Sequence, residues 1–102
     1  QIYPISVVES IIDYPPPVSL YIEYDSGSGS NREIKLKWTA PDTESVIDRY
    51  NIYRDSEYLA NSPFGIETYI DRPGSSKKYT YYVTAVYEDG TESVKSNEVH
   101  TE

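Results

Sequence analysis

Three groups of side chains in this chain carry the chemistry to act on another molecule: one histidine, a set of carboxylates and twelve tyrosines. His100 is the only imidazole and stands near the C-terminal end of the sequence. A serine or cysteine nucleophile needs a base held beside it, and the chain has no Cys and no Gly-x-Ser-x-Gly turn. A surface histidine without a catalytic partner is the reading this supports. Among the carboxylates, Asp42, Glu44, Asp48, Glu88, Asp89 and Glu92 fall in short polar stretches. Roughly six to eight oxygens must converge to hold Ca²⁺, and glycoside hydrolysis needs two carboxylates at a fixed separation in a cleft. No Asp-x-Asp-x-Asp-Gly loop is present, so solvated acidic loops are the favoured reading. The tyrosines are concentrated in YTYYVTAVYEDG, where Tyr79, Tyr81, Tyr82 and Tyr87 lie within residues 79–90. Such rings either fill a core or, on a surface, stack on sugars and grip proteins.

The elements that carry these residues are strands. EIKLKWT sets Ile34, Leu36 and Trp38 on one face and Lys35, Lys37 and Thr39 on the other. DRYNIYR aligns Tyr50 with Ile52, opposite Arg49, Asn51 and Tyr53. YTYYVTAV aligns Tyr79, Tyr81, Val83 and Ala85, opposite Thr80, Tyr82, Thr84 and Val86. Side chains alternate across a strand, so each segment can bury one face and wet the other. No stretch sustains a helical period. Turn residues punctuate the strands: DSGSGSN at 25–31 is expected to be a flexible loop, and APD (40–42), NSPFG (61–65), RPGSS (72–76) and EDGT (88–91) to be turns. The Asp-Gly pair of EDGT marks a tight hairpin. Six or seven short strands at this spacing argue for an antiparallel sandwich.

A length of 102 residues suits one domain with one modest core, and the absence of Cys removes disulfides and thiolate metal sites. Nine basic against seventeen acidic residues give a net charge of −8, which repels phosphate backbones and anionic lipids. No apolar run reaches the roughly 20 residues needed to span a bilayer. The sequence opens on Gln1 without a signal pattern, as a piece of something longer would. Residues 1–14 are apolar (Ile2, Ile5, Val7, Val8, Ile11, Ile12) and end at the boundary-like PPP of 15–17. They are expected to form an N-terminal extension, either an extra edge strand, which is favoured, or the tail of a preceding module.

From Pro16 onward the chain resembles a fibronectin type III domain, particularly the bacterial and archaeal version. PPVSLYI is similar to its proline-led first strand, IKLKWTAP to its second with the core Trp38, and YNIYRD to its third. TYID is similar to the fifth, and YTYYVTAVYEDGTES to the sixth strand and the hairpin after it. The resemblance implies a seven-stranded, all-β, immunoglobulin-like antiparallel sandwich over residues 15–102. One sheet would hold the first, second and fifth strands and the other the third, fourth, sixth and seventh. It further implies a core of Trp38, Tyr50, Tyr79 and Tyr81, with Tyr79 as a corner tyrosine whose hydroxyl bonds to the backbone of the preceding turn. Asp55-Ser56 stands where Asp-Gly is common in the family, which leaves that hairpin's turn type open. No Arg-Gly-Asp is present to support integrin binding.

On that fold the acidic stretches named above meet at one end, and Phe64, held between Pro63 and Gly65, joins them. Its ring is either an anchor displayed to a partner or, the favoured reading, a plug folded into the open end of the core. Tyr53 and Tyr82 would face outward from neighbouring strands, as a recognition pair or, again favoured, a structural cross-strand pair. The expectation is a non-catalytic module, without cofactor or metal, of a larger extracellular or cell-surface protein. It would be monomeric in isolation and serve as a spacer or a protein-contact domain. Neighbouring domains, another protein or a polysaccharide are the expected partners, and nucleic acid and membrane are not. The rival expectation is a carbohydrate-binding module that uses Tyr53 and Tyr82.

Overall fold

A computed structural model describes residues 13–102. The expected extension over 1–14 therefore lies outside the described residues except at its last two positions. Seven strands follow in order: β1 (Val18–Ser26), β2 (Glu33–Thr39), β3 (Ile47–Arg54), β4 (Glu57–Pro63), β5 (Thr68–Asp71), β6 (Thr80–Tyr87) and β7 (Val99–His100). They form two antiparallel sheets, β1-β2-β5 and β4-β3-β6-β7, as the resemblance implies. No helix of the described chain is long and apolar enough to cross a membrane.

Alternation builds the core. Ile34, Leu36 and Trp38 of β2 face Tyr50 and Ile52 of β3 and Tyr81, Val83 and Ala85 of β6, all buried. Trp38 meets Tyr50 edge-on at 5.4 Å between ring centres, a favoured geometry because the ring edge is positive and the face negative. The core is closed at one end by Tyr87, whose ring takes the edge of Tyr14 at 5.0 Å and whose hydroxyl donates to the Pro15 carbonyl at 2.6 Å. Asp13 is held there too, by a 2.7 Å bond from the Ser45 hydroxyl to its carbonyl.

Strand parity alone would leave Thr84 and Val86 wet, yet both are buried. The segment after the Gly90 turn covers them, and it does so without a regular ladder. Ala85 N–H donates to the Ser93 hydroxyl and Val83 N–H to the Ser96 hydroxyl, at 2.9 and 3.0 Å. The backbone N–H groups of the same two serines return bonds to the Ala85 and Val83 carbonyls. Serine side chains thus replace strand partners, and regular pairing resumes only over the two residues of β7. Asn97 closes the sandwich across its sheets: its amide accepts from Leu20 N–H and donates to Leu20 C=O, at 3.0 and 2.9 Å.

The structure departs from the sequence expectation in two loops. Asp25 and Ser26 belong to β1, and residues 29–31 form a short 3₁₀ turn, so 25–31 is not an unstructured loop. The turn is tight because at Gly27 (φ +77°) an added Cβ would stand 2.3 Å from the Asn31 carbonyl oxygen. Similarly, Asn61–Pro63 extend β4, leaving the turn to Phe64 and Gly65.

Candidate functional site

The four-stranded sheet carries a row of aromatic rings on the face turned away from the core. Tyr53 of β3 is paired in register with Tyr58 of β4 on one side and Tyr82 of β6 on the other. The Tyr53 and Tyr82 rings lie 4.8 Å apart and 16° from parallel. Tyr58 presents its edge to Tyr53 at 6.0 Å and 82°. Lys95, from the segment beyond β6, places its ammonium 5.3 Å from the centre of the Tyr82 ring. The order across the sheet is therefore Tyr58, Tyr53, Tyr82, Lys95.

Glu92 anchors this row. Its carboxylate accepts from the Tyr53 hydroxyl, from Thr84 Oγ1 at 2.6 Å and from Asn51 Nδ2 at 3.3 Å. Burial by itself would raise its pKa, but these donors outweigh burial and hold it below the ordinary value. The Tyr53 phenol is pushed up by burial and by its bond to Glu92. Glu92 therefore belongs to the sheet face, and it leaves the acidic tip to which the sequence assigned it. Tyr58 was not singled out by sequence, although a two-residue turn at Asp55-Ser56 fixes the 53–58 pairing.

At the tip, Asp89 accepts from the Tyr14 hydroxyl and from Thr91 N–H, and Asp48 pairs with Arg49 at 2.9 Å. Among the described residues, no three His, Asp or Glu side chains gather as metal ligands. Phe64 does not plug the core. Its side chain is 55% exposed, with the ring only tilted against Tyr50 at 6.2 Å. The turn beneath holds it out, through bonds from Phe64 N–H to Asp48 C=O, Ile66 N–H to Pro63 C=O and Gly65 N–H to the Glu67 carboxylate. Tyr50 already fills the end of the core and donates to Glu67 at 2.8 Å.

The opposite end holds the strongest electrostatics. Arg32, buried beside the Gly27 turn, pairs with both oxygens of Asp25 at 2.9 and 2.8 Å and donates to the Ser75 and Lys77 carbonyls. Hydrogen bonds from that guanidinium hold Asp25 below the usual carboxylate range. Arg54 Nη1 donates to both oxygens of Asp71, at 3.0 and 2.9 Å, and the Tyr81 hydroxyl donates to the same carboxylate. Both guanidinium groups lie against the Tyr79 ring, at 5.5 and 5.0 Å. Tyr79 is buried as expected, but the corner role is corrected. Among the described residues its hydroxyl has no hydrogen-bond partner; Arg32 ties down the turn before it. The Trp38 indole N–H likewise finds no acceptor among the described residues. His100 is exposed, with its Nδ1 2.8 Å from the Thr80 hydroxyl.

Topology, register and core define the fold as that of a fibronectin type III domain. The fibronectin(III)-like modules of CbhA from Clostridium thermocellum superpose with a TM-score of 0.63 at 18% identity, over 80% of this chain and 92% of that one. The central fibronectin-III array of RIM-binding protein gives 0.67 at 18%, over 81% of this chain and 29% of that one. A β-1,2-glucanase from Parabacteroides distasonis gives 0.69 at 28%, over 90% of this chain. The chain spans only 13% of that glucanase. No family model matches the sequence, and no curated protein matches it significantly.

Proposed function

We propose that this chain is a non-catalytic fibronectin type III module of a larger extracellular or cell-surface protein, spacing its neighbours and making protein contact through the tyrosine row. The orientation of the rings carries this reading. A sugar-stacking platform needs an open aromatic face, whereas Tyr53 and Tyr82 turn their faces to each other and Lys95 stands over Tyr82. Tyr58 is 55% exposed, with its hydroxyl accepting from Asn61 Nδ2 at 2.8 Å, and tyrosines displayed this way suit protein interfaces. The carboxylates Asp25, Asp71 and Glu92 are engaged by Arg, Tyr and Thr donors, which supports a structural rather than a catalytic use of charge.

Carbohydrate binding is the second reading. It is favoured by the gathering of Tyr53, Tyr58 and Tyr82 on one face and by the presence of a similar module within a glucanase. Co-sedimentation of the full chain with insoluble polysaccharides separates the two. The protein is expected to stay in solution; sedimentation abolished by Tyr82→Ala would transfer the assignment to the second reading.

A further inference from the structure

The end of the sandwich that receives the chain carries an apolar groove of about 260 Å³, left open by the described residues and lined by Ala40, Pro41, Val46, Ile47 and Phe64 together with Thr43 and Ser45. Val46 and Phe64 are each 55% exposed, and Ile66 beside Phe64 is 50% exposed. A ring held outward by three hydrogen bonds in its turn is a pre-formed contact rather than a loose one. Residues 1–12 lie outside the described residues, and their sequence holds Ile2, Ile5, Val7, Val8, Ile11 and Ile12 with Glu9 as the one charge. The point where they join the domain is fixed. Asp13 C=O is bonded to the Ser45 hydroxyl, and Ser45 itself lines the groove.

We infer that the groove is the seat of this chain's own N-terminal segment, with Ile11 or Ile12 packed against Val46 and Phe64. Chain reach permits it: Ile11 is two residues from Asp13, a span of about 7 Å when extended. Charge favours it over a second copy. Asp42 and Glu44 alternate with the groove residues in sequence, Asp48 holds the Phe64 turn, and Glu88 N–H bonds to Val46 C=O. A second copy would bring the same carboxylates face to face, and like charges brought together oppose association; the segment brings only Glu9. Occupation of the groove would withdraw the tip from partner binding and leave the tyrosine row as the contact surface.

The chain contains a single Phe, so the ring resonances of Phe64 are unambiguous. Nuclear Overhauser spectra of the full chain are expected to show contacts from that ring to Ile11 or Ile12 methyl groups, unchanged on dilution. A ring in contact only with Val46, Tyr50 and other described neighbours would overturn the inference. Contacts to those methyls that fade on dilution would also overturn it, in favour of a second copy. Phe64→Ala, at an exposed position, should shift the Ile11 and Ile12 methyl signals while the core signals stay; unmoved methyl signals would count against it.

Discussion

Tyr79 and Tyr81 point the same way from alternate positions, and their neighbours give them different tasks. Tyr81 donates to Asp71, which also accepts from Arg54 Nη1, so removing its hydroxyl leaves a buried carboxylate short of a donor. Tyr81→Phe should cost about 1–3 kcal/mol of stability, read as a lower urea midpoint. Tyr79→Phe keeps the ring under Arg32 and Arg54 and removes no hydrogen bond found among the described residues, so it should stay within about 0.5 kcal/mol of the parent. A loss as large as that of Tyr81→Phe would restore the corner role. Alternation in the sequence placed both rings in the core. It could not assign the hydroxyls, because the acceptor of the Tyr81 hydroxyl, Asp71, arrives from β5 in the other sheet.

At the scale of elements, the β3–β4 hairpin settles the open turn type. Asp55 and Ser56 have φ of +52° and +69°, the double positive φ of a type I′ turn, without a glycine. Asp55 is retained for its contacts, since its carboxylate accepts from Thr80 N–H at 3.0 Å and its N–H donates to Thr80 C=O at 2.8 Å. Ser56 makes no such contact, and glycine removes its steric penalty. Ser56→Gly should therefore stabilise by about 0.5–1 kcal/mol, visible as a raised thermal midpoint. An unchanged or lowered midpoint would show that the left-handed serine is not strained. Strand number, order and sheet membership were legible from alternation, turn residues and the family resemblance. The bonding of the segment leading into the last strand was not, because it runs through the Ser93 and Ser96 hydroxyls, and a serine that accepts a backbone bond looks in sequence like any other serine. The tyrosine row was half legible: parity exposed Tyr53 and Tyr82, whereas Glu92 looked like one more acid of a loop.

For the molecule as a whole, charge and burial together set a window of stability. Asp25 and Glu92 have folded pKa values below the ordinary 3.8 and 4.5, so the stability they lend is complete above those values and is lost as acid reaches the lower folded ones. Burial, reinforced by bonds to Glu67 and Asp71, raises Tyr50 and Tyr81 above the ordinary 10.0. Their contribution is complete below that value and is lost as the pH rises toward the folded ones. Urea midpoints should thus form a plateau between roughly pH 5 and pH 9 and fall on both sides, with Asp25→Asn shallowing the acid limb. A profile still rising below pH 4 would refute the carboxylate assignment. The proposed protein-contact role of the tyrosine row rests most heavily on Tyr53 and Tyr82 closing their ring faces on each other. Titration of the labelled full chain with β-1,2-glucan oligosaccharides, followed at the Tyr53, Tyr58 and Tyr82 ring signals, tests that claim directly. No saturable shift is expected at any of the three rings; saturable shifts at these rings that vanish in Tyr82→Ala would contradict the protein-contact role.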